Sequence, residues 1–252
     1  MFCALGGALS VLAVGAFLLL PGRLRTPLLP SLVGFAIGAL LGAAFLGLLP
    51  EVLEGRGIEA AAEIGGTVLL GLVGIFLLEK TMLWRHHHAH DGEANAQDLE
   101  HARRVSAGTL ILIGDGVHNM GDGVLIAAAF LTDVQLGVVT SIAVIAHEIP
   151  QEVGDFAVLL HSGYSPGKAL GYNVLSSLTT IVGGVVAYFS LSPAQASVPY
   201  VLAIAAASFI YIAMADLIPD LHKRSQLSAT MQQLALMALG VGVIIAADFA
   251  LH

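Results

Sequence analysis

Long apolar runs constrain this chain more than any other feature of its sequence. Eight of them recur along the 252 residues, each about 20 residues or more in length. Runs of this length cross a bilayer as helices, and only helices or closed barrels satisfy their backbone polar groups in lipid. Because the alternating segments of about 10 residues that barrel strands require are absent, the sequence predicts an all-α membrane protein, an eight-transmembrane-helix bundle. The predicted spans are residues 1–20, 28–49, 65–84, 106–131, 134–160, 169–190, 198–218 and 230–249.

Composition agrees with a single transmembrane domain that occupies residues 1–252. Hydrophobic residues make up 57% of the chain and charged residues 11%, whereas soluble domains carry about 25% charged residues. The net charge of −8 argues against nucleic-acid binding. The lone Cys3 excludes an internal disulfide and a multi-thiolate zinc site. The first run begins at Met1 without a basic segment, so we expect no cleaved signal peptide.

Basic residues are distributed unevenly among the connections between the predicted spans. Nine of the ten Lys and Arg residues lie in or beside odd-numbered connections, and only Arg56 lies in an even-numbered one. Because cytoplasmic connections are enriched in Lys and Arg, this pattern predicts that both termini lie outside. We expect a multi-pass protein of the cell membrane, or of the inner membrane in a Gram-negative bacterium, with the lipid bilayer as its partner. The second connection makes the outer face acidic, with Glu51, Glu54, Glu59 and Glu63.

The third connection, residues 85–105, is predicted to be a His-rich cytoplasmic loop. It contains the run HHHAHD, which starts at His86. His-rich tracts of this kind gather metal ions. We therefore expect this loop to contact metal without forming a fixed site, and a solvated linker is the alternative.

Two weaker patterns concern helix packing. Gly34, Gly38 and Gly42 recur every four positions, a spacing that lets membrane helices pack backbone to backbone. The sequence Leu-Leu-Pro-Glu, which ends at Glu51, is echoed by Leu-Ile-Pro-Asp, which ends at Asp220. The second and seventh spans run in opposite directions, so the echo favours an inverted repeat of helices 1–3 and 6–8. A chance match of four residues is the alternative.

Two polar clusters lie near the centres of the fourth and fifth predicted spans. One is HNMGDG at residues 118–123, and the other is HEIPQEVGD at residues 147–155. An ionisable group at the bilayer centre costs about 2.5–3.5 kcal/mol on insertion scales, so such groups are rare and usually functional. No Lys or Arg lies near either cluster in the sequence. The missing partner of these acids is therefore a cation, although a structural polar network and a proton relay are alternatives.

The spacing within the clusters predicts a metal site near the membrane midplane. Polar residues recur at i and i+4, as in His118 with Asp122, and so share a helix face. Two such faces on antiparallel neighbours meet at one depth. They bring together His118, Asp122, His147 and Gln151 at one point, and Asn119, Asp122 and Glu148 can frame a second point beside it. Imidazole and carboxylate ligands together suit zinc and other first-row divalent ions. The candidate metal ligands are His118, Asn119, Asp122, His147, Glu148, Gln151 and Glu152.

Further polar residues extend from this point toward the predicted cytoplasmic side. Pro150 has no backbone N–H, so we expect a kink in the fifth span and a freed carbonyl that faces a cavity or an ion. The candidate pathway residues are Asp115, Asp155, Asn173 and Asp216.

These motifs resemble those of the ZIP family of divalent-metal transporters. The fourth span contains HNMGDG, similar to the family pattern HNxxDG, and the fifth contains HEIPQEVGDF, similar to HExPHExGDF. The segment SFIYIAMADLIPDLH, from Ser208, also looks like the family. The resemblance covers nearly the whole chain and implies eight spans, both termini outside and a homodimer. It also implies import of Zn²⁺, or of Fe²⁺, Mn²⁺ or Cd²⁺, into the cytoplasm by alternating access.

The resemblance also assigns roles to individual residues. His118, Asp122 and His147 match the first position of a two-metal site, and Asn119 and Glu148 match the second. The metal is then a transported substrate, with no cofactor and no enzyme activity implied.

Gln151 departs from the family pattern, in which many relatives carry a second histidine. An amide oxygen is a neutral and weaker zinc ligand, which bears on metal preference. His147 and Glu148 also open an H-E-x-x-H motif of zinc proteases, so an intramembrane metalloprotease is an alternative. Gln151 occupies the last position of that motif, however, and Pro150 interrupts the helix that it needs. A metal-sensing or structural membrane protein is the remaining alternative.

Overall fold

The described part of the chain is helical. The computed structural model describes residue 3 and residues 12–17, 19–88, 96–223 and 226–251. Within these residues no strand is present, which confirms the all-α prediction. Much of the first predicted span lies outside the described residues, and residues 12–17 of it are helical. The helices are α1 Gly22–Gly42, α2 Leu49–Arg56, α3 Ala61–His88, α4 Ala96–Thr132, α5 Val134–His161, α6 Pro166–Leu191, α7 Val198–Tyr211, α8 Ile218–His222 and α9 Leu227–Leu251.

Five stretches of the described helices are long and apolar enough to cross a membrane. They correspond to the second, third, sixth, seventh and eighth predicted spans. Helices α4 and α5 are not among the five, and they are the helices that carry the two polar clusters. The five stretches are Leu28–Arg56, Ala61–Thr81, Pro166–Leu191, Gln195–Leu217 and Leu227–Ala250.

The predicted His-rich connection is partly helical. Helix α3 continues to His88, and α4 begins at Ala96, so only residues 89–95 separate them. Ala, Glu, Gln and Arg, which are frequent here, are good helix formers. Helical residues therefore extend into both ends of the predicted connection. The histidine side chains of this connection lie outside what the structure describes.

Two wide helical turns interrupt otherwise continuous helices. One spans Ala43–Leu48 between α1 and α2, and the other spans Ile212–Leu217 between α7 and α8. Pro50 and Pro219 lie in the first turn of the helix that follows. Proline lacks an N–H and clashes with the carbonyl four residues earlier, so the preceding turn widens to a π-type turn. Sequence analysis identified the echo around these prolines but did not predict the wide turns.

Close backbone contacts hold two helix pairs together. A Cβ atom added to Gly38 of α1 would lie 2.0 Å from the carbonyl oxygen of Met237 in α9. A Cβ atom on Gly123 of α4 would lie 1.9 Å from the carbonyl oxygen of Thr180 in α6. Such approach is possible only without side chains, as is common between membrane helices. The predicted packing role of the glycine repeat is confirmed at Gly38.

Candidate metal centre

Four side chains from α4 and α5 converge on one point. They are His118 and Asp122 from α4, and His147 and Glu148 from α5, with one ligand atom of each within 4.8 Å of all the others. The Nε2 atoms of the two histidines are 3.2 Å apart. Nε2 of His147 lies 3.2 Å from Oδ2 of Asp122, and Nε2 of His118 lies 3.5 Å from Oε1 of Glu148. The antiparallel neighbours thus place these groups at one depth, as the spacing predicts.

His147 is oriented by contacts on both sides of its ring. Its Nδ1 atom lies 3.0 Å from the carbonyl oxygen of Ala143, one turn earlier in α5. Since a carbonyl accepts a hydrogen bond, Nδ1 carries the proton, and Nε2 is left with a free lone pair. The ring also packs edge-on against Phe209 of α7, with centroids 6.2 Å apart. The lone pair therefore points toward the other three groups, as a metal ligand requires.

The carboxylates of this centre are buried without a cationic partner among the described residues. Asp122 is 1% exposed and Glu148 is 3% exposed. Oδ2 of Asp122 and both carboxylate oxygens of Glu148 accept no hydrogen bond within the described part of the chain. Burying such groups unpaired is costly, and buried carboxylates in proteins are paired or coordinate metals. The arrangement is that of a site for a positive ion.

Asn119 and Glu152 of the predicted ligand set make other contacts. Asn119 donates from Nδ2 to Oδ1 of Asp115 at 2.9 Å, and its Oδ1 accepts from the Thr180 hydroxyl at 2.9 Å. Glu152 accepts at Oε1 from the Ser177 hydroxyl at 2.7 Å. Both side chains are therefore held against α6, although the second lone pair of the Asn119 oxygen is still available.

Gln151 lies on the wall of a cavity of about 1000 Å³ that begins at the metal centre. Its amide lies beside the carboxyl of Asp115, which precedes His118 by about one helical turn on α4. Helix α5 remains helical through Pro150, and this proline also lines the cavity. The proline therefore does not end the helix, and a kink in α5 stays a prediction.

The cavity connects the metal centre to three of the four pathway candidates. His118 and Asp122 lie at one end of it, and Asp115, Asp155 and Asp216 also line it. The fourth candidate, Asn173, is fully buried and lies behind this wall on α6.

The cavity wall also carries an acidic residue that sequence reasoning missed. Glu79 of α3 lines the cavity and accepts a hydrogen bond from the hydroxyl of Tyr211 in α7. The sequence signal that could have identified Glu79 is its position as a lone acid near the end of an apolar run. The candidate residues drawn from the sequence do not include Glu79.

Tightly packed apolar residues surround the other side of the metal centre. Leu40 of α1, and Ala43 and Leu48 of the wide turn that follows it, are fully buried. Val139, two turns from His147 on α5, and Phe209 of α7 are at most 1% exposed. These residues belong to one apolar core cluster. The centre thus lies between a packed apolar layer and an open cavity.

Comparison with known proteins finds similarity to zinc transporters along nearly the whole chain. A family model described as ZIP Zinc transporter matches residues 2–103 and 85–248. Zinc transporter ZIP13 of Pongo abelii is 31% identical over 265 residues, which cover 96% of this chain and 77% of that protein. Zinc transporter ZIP13 of Homo sapiens is 28% identical, with 96% and 80% covered. Zinc transporter ZIP10 of Danio rerio is 35% identical over 156 residues, which cover 59% of this chain and 18% of that protein.

Both polar clusters fall within the matched residues. Members of the matched family are zinc transporters and not enzymes, which sets the metalloprotease alternative aside. In such proteins zinc is a transported substrate rather than a cofactor. The resemblance drawn from the motifs in α4 and α5 is confirmed, and the chain belongs to the ZIP family of zinc transporters.

Proposed function

We propose that this chain carries Zn²⁺ across the cell membrane into the cytoplasm through the centre of His118, Asp122, His147 and Glu148. The observation that carries the proposal is the convergence of two imidazole nitrogens with two buried carboxylates that have unpartnered oxygens. Four nitrogen and oxygen ligands suit the tetrahedral preference of zinc. Because this set contains no thiolate, the ion is bound weakly enough to be released.

Asn119 and Gln151 extend the ligand set in this proposal. Asn119 together with Glu148 forms a second metal position beside the first, and Gln151 supplies an amide oxygen on the cavity wall. Oxygen ligands broaden the set of ions that bind, since carboxylate and carbonyl groups also suit Mn²⁺. Fe²⁺, Mn²⁺ and Cd²⁺ are therefore the alternative substrates.

The cavity is the route by which the ion leaves. Its walls include Pro30, near the start of the apolar stretch Leu28–Arg56, and Lys223, just after α8. The distribution of basic residues predicts that both of these positions lie toward the cytoplasm. The conformation is then inward-facing, with the apolar layer closing the outer side. Asp115, Asp155 and Asp216 guide the ion along the cavity, with Asn173 supporting the wall. Alternating access reopens the centre to the outer face.

The proposal includes the arrangement in the membrane. Helices α4 and α5 span the bilayer with the five apolar stretches and the segment before residue 20, which gives eight spans and places both termini outside. The wide turns before Pro50 and Pro219 support an inverted repeat, because the same Pro-acid pattern follows each of them. We also propose a homodimer, and a role for the His-rich connection in gathering cytoplasmic metal.

Zinc uptake into proteoliposomes tests the function. We expect His147→Ala and Asp122→Asn each to lower uptake by more than about tenfold, because loss of outer-shell partners alone costs 10–100-fold at metal sites. Ser141→Ala is the matched control, since Ser141 is buried on α5 but donates to the Gly137 carbonyl away from the cavity. Uptake that survives both substitutions in folded protein would refute transport through this centre.

A further inference from the structure

Three polar side chains meet on the face of the protein that is predicted to lie outside. Arg56 ends α2, Glu63 lies in the first turn of α3, and Tyr200 lies near the start of α7. Nη2 of Arg56 lies 3.2 Å from Oε2 of Glu63 and donates to the hydroxyl oxygen of Tyr200 at 2.7 Å. The Tyr200 hydroxyl in turn donates to Oε1 of Glu63. Each residue therefore bonds to the other two, and this polar triangle joins three helices.

Arg56 makes the largest contribution to the polar triangle. Its guanidinium carbon also lies 5.1 Å from the centre of the Tyr200 ring, within the range of a cation–π contact. The sequence offers no second Lys or Arg in the even-numbered connections that could replace it. The side chains of Arg56 and Glu63 are 32% and 51% exposed, and exposed ion pairs contribute little stability. Contacts of this kind favour one conformation without fixing it permanently.

Helix α2, which ends at Arg56, is otherwise held lightly. Val52 is its only buried residue. The wide turn Ala43–Leu48 precedes α2, and Pro50 lies in the first turn of α2 itself. Prolines and π-type turns are the usual points at which helices bend. Helix α2 is therefore a short segment with a bending point at one end and the polar triangle at the other.

The polar triangle lies at the outer edge of the apolar layer that covers the metal centre. Each of its three helices also contributes a buried apolar side chain within four residues of its member of the triangle. These side chains are Val52, Ile64 and Leu202, each at most 3% exposed. All three belong to the apolar cluster that contains Phe209, whose ring packs against His147. Separation of α2 from α3 and α7 would therefore open this layer from the outer side.

We propose that Arg56, Glu63 and Tyr200 form an outer latch, which holds α2 against α3 and α7 while the metal centre faces the cytoplasm and opens when the centre faces outward. The outer latch is a device of the transport cycle, so this inference rests on the proposed function. Because α2 bends at the wide turn and has one buried residue, the contacts of Arg56 decide whether it stays in place. Substitutions that remove these contacts shift the population toward the outward-facing conformation.

Labelling of a buried thiol from the outside tests the outer latch. Ala43→Cys places this thiol in the apolar layer, where Ala43 is fully buried, and Cys3→Ser removes the single native thiol. A membrane-impermeant maleimide is added to sealed vesicles that expose the outer face. Glu63→Gln and Tyr200→Phe should each raise the labelling rate by roughly two- to fivefold, as expected for the loss of exposed polar contacts.

Glu59→Gln is the matched control for Glu63→Gln. It removes the same charge from the same connection, but Glu59 makes no hydrogen bond or ion pair among the described residues. Its labelling rate should equal that of the parent protein. Rates in Glu63→Gln and Tyr200→Phe that match the rate in Glu59→Gln would overturn the outer latch.

Cross-linking tests whether the outer latch opens during transport. Arg56→Cys and Tyr200→Cys are combined in the Cys3→Ser background and joined by a short bis-maleimide. Zinc uptake should be lost in the cross-linked protein and should continue in each single-cysteine variant treated with the same reagent. Uptake that continues after complete cross-linking would overturn the outer latch. Because thiol labelling needs no transport and can be repeated with Asp122→Asn, failure of the outer latch and failure of the proposed function are distinguishable.

Discussion

Gly123→Ala is expected to separate α4 from α6 and to destabilise the protein. The added Cβ atom would lie 1.9 Å from the Thr180 carbonyl oxygen and 2.7 Å from the Gly184 backbone nitrogen. Real Cβ contacts are essentially never shorter than 3.0 Å. Both obstacles are backbone atoms, so no side chain can rotate out of the way. The helices must therefore move apart by about 1.1 Å or more at this point.

The cost follows from the contacts that such a movement would break. The Thr180–Asn119 hydrogen bond of 2.9 Å would lengthen to about 4 Å, beyond hydrogen-bonding distance. The bond from Thr179 to the Gly116 carbonyl, 2.8 Å long, would stretch as well. Interhelical hydrogen bonds in membranes average about 0.6 kcal/mol, and forced backbone shifts cost about 1–3 kcal/mol. We expect a loss of about 2–4 kcal/mol in the free energy of unfolding.

Thermal unfolding of the purified protein in detergent measures this loss. Gly121→Ala is the matched control, because it lies on the same helix and its added Cβ atom would meet nothing within 4 Å. A midpoint for Gly123→Ala equal to that of Gly121→Ala would refute the close approach of α4 and α6.

Two further substitutions test other parts of the structure. Gly38→Ala should destabilise the α1–α9 pair by a similar amount, since its Cβ atom would lie 2.0 Å from the Met237 carbonyl oxygen; Gly65→Ala, with open space around it, is the control in the same unfolding assay. Gln151→His should tighten zinc binding measured by calorimetry, because imidazole is a stronger zinc ligand than an amide oxygen. Unchanged affinity would show that position 151 does not reach the ion.

The metal centre was predictable from the sequence because helical spacing determines which residues share a face. His118 with Asp122 follows from the i, i+4 rule within α4, and the short link between α4 and α5 places His147 at the same depth. The antiparallel arrangement needs no long-range information. All four converging residues are among the candidate ligands drawn from the sequence, although the spacing grouped Gln151 rather than Glu148 with His118, Asp122 and His147.

The contacts of Glu152 could not be predicted in this way. Its distance of four residues from Glu148 suggested a shared role, but residues on one helix face still point to different neighbours. Ser177 and Asn173 of α6 determine the direction of the Glu152 side chain, and contacts with a helix about 20 residues away in the chain depend on tertiary packing. The wide turns before Pro50 and Pro219 escaped prediction for a related reason, since proline in a first helical turn is usually harmless.

Charge explains why the metal centre suits a doubly charged ion. The Nε2 atoms of the two histidines are 3.2 Å apart, and each ring that binds an ion through Nε2 is neutral, because the lone pair rather than a proton faces the ion. The two carboxylates then give the centre a charge of −2, which a divalent ion cancels and a monovalent ion leaves half uncompensated. In a site where Asp122 and Glu148 are at most 3% exposed, uncompensated charge is costly. A preference for divalent over monovalent ions therefore follows from the number of buried carboxylates, while the two imidazoles favour zinc and other first-row ions among the divalent ones.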